Sequence, residues 1–184
     1  VPDSGRTGRG TAIVNLLPLD GDEKIAAIIP LNTFEDGDYM VMATKAGIIK
    51  KTELTQYANI RKSGLIAVEL RDDDALIGAA IINKEQDIIL ATRKGMSIRF
   101  SEEDVRPTGR SSIGVKGITL KEDDAVVGMG ICDDLNEVMV VTQKGFGKRT
   151  RVDEYGRQSR GGKGIMTYRI SEKTGELVSL LMVN

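Results

Sequence analysis

One pattern recurs three times along this 184-residue chain and leaves few folds open to it. Residues 39–51, 88–99 and 138–149 each run from an apolar stretch to a threonine (Thr44, Thr92, Thr142). Within three positions they pass a basic residue and a glycine, and a second stretch then ends in Lys or Arg. The glycines, Gly47, Gly95 and Gly145, are 48 and 50 residues apart, and the threonines keep step with them. A period of about 50 residues belongs to blade-type repeats, in which each unit buries its faces against its neighbours.

Each unit holds four strand-like runs, rich in Val and Ile and bounded by Gly, Asn and Asp. They fall at 39–44, 48–51, 65–70 and 76–82; at 88–92, 96–100, 115–120 and 126–132; and at 138–142, 146–150, 165–170 and 177–183. The chain opens mid-pattern, with apolar runs at 12–17 and 25–31 that read as the second half of a unit whose first half lies upstream. The expectation is an all-β, propeller-like array of four-stranded blades with about three and a half repeats. Residues 1–35 form the half-blade, and 36–83, 84–133 and 134–184 form the blades. Between the first two runs of each unit a tight hairpin needs positive φ, which Gly47, Gly95 and Gly145 supply without a Cβ clash.

Composition removes whole classes of chemistry. There is no histidine, so neither a Ser-His-Asp nor a Cys-His nucleophile is available. Cys132 is the single cysteine, which excludes an internal disulfide and a four-thiolate zinc site and fits a reducing, cytoplasmic compartment. No apolar run reaches about 18 residues, so no membrane span is expected, and Val1 opens no signal peptide. Gly147-Lys148-Arg149-Thr150 lacks the spacing of a phosphate loop, because Thr142 stands where the first glycine belongs. Gly5, Gly8 and Gly10 lead into a strand pattern, against a dinucleotide fingerprint. With no Trp and 4% aromatics, base stacking in the manner of single-strand binders is not expected.

Charge is balanced overall, 26 basic against 27 acidic residues, yet unevenly placed. The turns between third and fourth runs are acidic, Asp72-Asp73-Asp74 and Glu122-Asp123-Asp124, and lack the spacing of a calcium loop. They read as solvated turns. The loops between second and third runs are basic: Arg61 and Lys62; Arg106, Arg110 and Lys116; Arg157, Arg160 and Lys163, with Arg6 and Arg9 at the matching place in the half-unit. Lys50, Lys51, Arg99, Lys148 and Arg149, at the ends of the second runs, are assigned to the same face. Stacked blades would gather these cations on one zone and the acids on another, giving a neutral chain a continuous basic track. Bending 20–30 bp of duplex by 40–90° costs about 1–6 kcal/mol, more than one patch supplies, whereas an array multiplies weak contacts. Gly161 and Gly162 are expected to let the backbone approach a phosphate and point amide N–H groups at it.

Gln158-Ser159-Arg160-Gly161-Gly162-Lys163-Gly164 resembles the Gln-Arg-Arg-Gly-Gly-Lys-Gly box of the C-terminal domain of the bacterial DNA gyrase A-type subunit. Gly145 through Thr150 and Arg110 through Leu120 are similar to that family's blade repeat, and the likeness covers essentially the whole chain. The resemblance implies a β-pinwheel, in which neighbouring blades exchange strands and a basic rim wraps duplex DNA to support negative supercoiling. It implies no cofactor for this piece, with ATP and Mg²⁺ used elsewhere in a holoenzyme that contains the B-type gyrase subunit and the N-terminal part of the A-type one. The strand-cleaving tyrosine belongs to that N-terminal part, so Tyr39, Tyr57, Tyr155 and Tyr168 take no nucleophilic role. Two departures stand out: Ser159 replaces a basic residue, and the box lies in the last repeat where the family's principal box lies in the first. Gln158 through Gly164 is therefore read as a secondary box.

Two rivals come from the same residues. The A-type subunit of topoisomerase IV carries a similar disc with more degenerate boxes. A protein-interaction propeller would use the basic loops to dock an acidic tail. A hydrolase using the acidic turns has no acid and base pair to work with.

Overall fold

The computed structural model describes residues 3–17, 19, 23, 25–31, 33, 34, 37–59, 61, 64–133 and 136–184. Eleven strands and four short 3-10 turns make up its regular structure, with no α-helix among the described residues. The hairpins form where the repeat places them: β1 (Tyr39–Thr44) with β2 (Ile48–Glu53), β4 (Asp87–Thr92) with β5 (Met96–Ser101), and β8 (Glu137–Thr142) with β9 (Gly147–Arg151). Gly47, Gly95 and Gly145 turn them with φ of +83°, +84° and +79°. The fourth run of each unit, β3 (Leu76–Ile82), β7 (Val126–Cys132) and β11 (Leu177–Val183), pairs antiparallel with the first strand of its own hairpin.

The third run behaves differently. It shrinks to two residues, β6 (Val115–Lys116) and β10 (Ile165–Met166), and leaves its own unit to pair with the second strand of the preceding hairpin. The sheets are therefore β3-β1-β2-β6, β7-β4-β5-β10 and β11-β8-β9. Strand exchange between neighbours is thus observed twice. Residues 65–70, read as a strand, are not one: among the described residues no hairpin of a preceding unit is there to receive them. The runs at 12–17 and 25–31 also form no strand among their described residues; Ile13–Asn15 is a 3-10 turn, and Val14 and Ile28 are 63% and 77% exposed.

The core sits between the sheets. Ile88 and Leu90 of β4 face the first sheet, joining Val41, Ile49, Ile98 and Phe100, while Ile89 and Ala91 face the third, joining Val138, Val140 and Leu177. Period-2 alternation with both faces covered leaves β4 buried at every position, whereas β8, covered on one face, alternates. Glycines let the inner strands approach: a Cβ at Gly128 would meet Leu180 Cβ at 2.6 Å, and one at Gly130 would meet Met182 Sδ at 2.5 Å.

The turn glycines separate backbone strain from packing. A Cβ on Gly95 would lie 2.1 Å from Tyr168 O, because the third run of the next unit crosses this turn; one on Gly145 meets nothing. Gly145→Ala is expected to cost about 1–2 kcal/mol, the left-handed penalty alone. Gly95→Ala should cost about 2–5 kcal/mol, with overpacking added. Thermal melts of the two variants check this; equal losses would contradict the exchange of the third run.

Candidate nucleic-acid interface

The basic loops of the second and third units are stitched onto the unit before by equivalent contacts. Thr108 N–H donates to Lys51 O and Gln158 N–H to Arg99 O, both at 2.8 Å. Pro107 and Arg157 form parallel bridges with Lys51 and Arg99. Arg110 Nη1 donates to Ile66 O at 3.2 Å and Arg160 Nη1 to Lys116 O at 3.1 Å. Gly114 and Gly164, at φ of +100° and +72°, press so closely on Ile49 O and Ser97 O that a Cβ would come within 2.6 and 2.2 Å. The repeat therefore sets these two loops at an equivalent place, on the second strand of the preceding hairpin.

This geometry divides the sequence-assigned cations into two groups. Arg106, Lys116, Lys148 and Lys163 are exposed and make no ion pair among the described residues. Arg157 is also exposed, although it touches Asp87. Lys116 packs beside Gly161, so the second unit's third run and the third unit's box share one stretch of surface. Arg6, Arg9 and Arg61 are exposed too, but no contact among the described residues fixes them to this edge; Lys62 lies outside the described residues.

Lys50, Lys51 and Arg99 are turned inward, and their assignment to the basic face is corrected. Lys50 is 1% exposed, its ammonium donating to Ala67 O at 2.7 Å and to Arg110 O. Burial, and secondarily the nearby Arg110 charge, brings its pKa down to about 8. Lys51 is 4% exposed, pairs with Glu102, donates to Glu102 O at 2.9 Å, and lies 5.0 Å from the Tyr39 ring centroid. Arg99 pairs with Asp87 at 2.7 Å and donates to Val152 O at 2.9 Å. Arg149, although exposed, pairs with Glu137. Lys51, Arg99 and Arg149 share one place, four residues after the turn glycine, and each meets a residue of the first strand of its own hairpin: Tyr39, Asp87 or Glu137, each eight places before the turn glycine. Lys51 and Arg99 also reach the carbonyl of the equivalent residue in the next unit, Glu102 or Val152. They are clamps between blades.

Further expectations change. Gly161 N–H donates to Gly117 O at 2.7 Å, and the Gly161 and Gly162 carbonyls accept from Thr119 Oγ1 and N–H at 2.6 and 2.8 Å. The double glycine is a seam between blades, and Gly161 has no amide left to offer a phosphate. Arg160 is half-buried, its Nε donating to Asp104 O at 2.7 Å. Acidic residues, moreover, are not kept to one zone, since Asp87, Glu102 and Asp104 stand among the cations. In the turns, Asp74 and Asp124 are caps rather than solvated acids: Asp74 Oδ1 accepts from Ala46 N–H, and Asp124 Oδ1 from Lys94 N–H, at 2.8 and 2.9 Å. Burial pushes the Cys132 thiol up to about 12, leaving it unreactive.

Successive antiparallel sheets, two of which take their edge strand from the next unit, with a basic loop repeated on the second strand of the hairpin, define a propeller-like β-repeat domain. The family model described as DNA gyrase C-terminal domain, beta-propeller, matches residues 1–32, 38–83, 86–133 and 136–184, and the chain belongs to that family. The DNA gyrase A-type subunit of Clostridium acetobutylicum is 61% identical over 183 residues, and that of Mycolicibacterium smegmatis 40% over 186. In both cases the whole of this chain aligns with 22% of the relative's length. Among solved structures, the C-terminal domain of DNA topoisomerase IV superposes with a TM-score of 0.87 at 29% identity, over 95% of this chain and 55% of that one. The DNA gyrase A C-terminal domain gives 0.85 at 29%, over 96% and 59%.

Proposed function

We propose that this chain binds duplex DNA along its outer rim and bends it, as the wrapping portion of the A-type gyrase subunit. The observation that carries this is the equivalent seating of the basic loops on successive blades, which leaves Arg106, Lys116 and Lys163 exposed and without ion-pair partners among the described residues. Phosphate contacts by such cations position the duplex without reading its sequence, and a rim built from repeated units applies them along a curve. On this reading the chain does no bond-making. Strand cleavage belongs to the N-terminal part of the same polypeptide, and ATP and Mg²⁺ act with the B-type gyrase subunit in a bacterial, cytoplasmic holoenzyme that introduces negative supercoils. The near-equal superposition on the topoisomerase IV domain supports a second reading, the A-type subunit of that enzyme, with the same rim. The 61% identity favours gyrase.

Replacing Arg106, Lys116 and Lys163 together by Ala tests the rim. The slope of log K against log salt should fall by about 2.7, three phosphates' worth. Stability should change by no more than about 0.5 kcal/mol per site, as for other surface substitutions. Unchanged duplex affinity in the triple variant would remove the rim as the binding surface.

A further inference from the structure

Asp87 opens β4 and is 2% exposed, yet it meets two arginines from different units. Arg99 Nε, from its own hairpin, donates to Oδ2 at 2.7 Å, and Arg157 Nε, from the next unit's basic loop, donates to the same oxygen at 3.1 Å. Arg157 Nη2 lies 2.9 Å from Oδ1 as an ion-pair contact without hydrogen-bond alignment. One carboxylate thus faces two permanent cations, so these three residues keep one net positive charge between them, with Glu103 and Asp104 near enough to Arg157 to act on it as well. The exposed member is Arg157, whose side chain is 58% accessible and whose Nη1 makes no hydrogen bond among the described residues. Asp87 occupies one edge of that guanidinium, and the other remains for an incoming anion.

We propose that Asp87 is a positioning residue for the rim: a buried carboxylate of one blade that holds Arg157 of the next with its free edge toward a phosphate. The proposal rests on the duplex-binding reading and adds to it a role for an acid. A guanidinium fixed in advance gives up less side-chain freedom on binding than a free one. The neighbouring units frame the idea. Tyr39, at the same place in the first unit, gives its lysine a ring face, and the following unit has Pro107 where the third unit has Arg157.

The consequence runs against simple electrostatics, in which removing a negative charge beside DNA tightens binding. Asp87→Asn is expected to weaken binding to a linear duplex spanning all three blades. The loss should be about eightfold at 0.1 M salt, with the salt slope lower by about 0.9, one phosphate contact referred to 1 M. In an Arg157→Gln background the same change should have no further effect, and Asp87→Glu should restore most of the affinity. Arg157→Lys, an exposed change that spares the fold, keeps the charge but not the fork, and should lose most of what Arg157→Gln loses. Binding by Asp87→Asn that is unchanged or tighter overturns the proposal. So does an equal loss with and without Arg157, which would mean general distortion, or full affinity in Arg157→Lys. A parent chain that shows no salt-dependent duplex binding would instead overturn the duplex-binding reading itself.

Discussion

Raising the salt from 50 to 200 mM is expected to weaken duplex binding by about 10³–10⁵-fold, the loss for roughly six to ten phosphate contacts. Arg106, Lys116, Lys148, Arg157 and Lys163 are the exposed members carried by the seated loops and hairpins, so six or more contacts require exposed Arg6, Arg9 or Arg61 to reach the duplex as well. The chain carries a formal net charge of −1, so no long-range attraction of the molecule as a whole does this work. Binding has to come from local potential at the rim, which releases condensed counterions as each phosphate is neutralised. Anisotropy of a labelled duplex, titrated at several salt concentrations, gives the slope. A flat profile would mean that contacts other than phosphate carry the affinity.

Glu102→Ala should destabilise the chain by about 3–5 kcal/mol, because it strands the Lys51 ammonium inside the protein without a counter-charge. Lys51 is 4% exposed, and the Glu102 carboxylate is its ion-pair partner across the first blade boundary. For a domain of this length the loss corresponds to a fall in Tm of roughly 6–20 °C. Below the melting transition, the salt slope of duplex binding should be that of the parent. Replacing both residues by Met should recover most of the stability, since a packed apolar pair does as well as a buried ion pair. If Glu102→Ala melted normally while duplex affinity changed, Lys51 would belong to the rim and its description as a clamp would fail.

The contrast between Lys51 and Lys116 shows what the sequence could and could not reveal. Hairpins, turn glycines and inner strands follow from alternation and spacing, which are local properties. The destination of the third run is not local: Val115 and Lys116 read equally well beside their own hairpin and beside the preceding one, and they take the second. That exchange buries the end of the second hairpin strand, so Lys50 and Lys51 of β2 lie beneath the following unit's loop while Lys116 of β6 stays exposed. A basic residue four places after each turn glycine looked like rim charge; with an acid such as Asp87 eight places before that glycine and a carbonyl of the next unit in reach, Arg99 is a clamp between blades, whereas exposed Arg149 forms its ion pair within its own hairpin. Acids at those places were the available sign that some cations are consumed internally. The double glycine of the box was legible as a backbone close to something, but the partner is another blade rather than a phosphate.

Wrapping, as distinct from binding, is tested most directly on a closed circle. Plasmid relaxed by a type I topoisomerase in the presence of increasing amounts of the chain, then freed of protein, should show a linking-number shift of a single sign that grows with protein bound and vanishes in the Arg106, Lys116 and Lys163 triple variant. Saturating, salt-sensitive binding that leaves the linking number where it was would contradict a rim that bends the duplex around the disc.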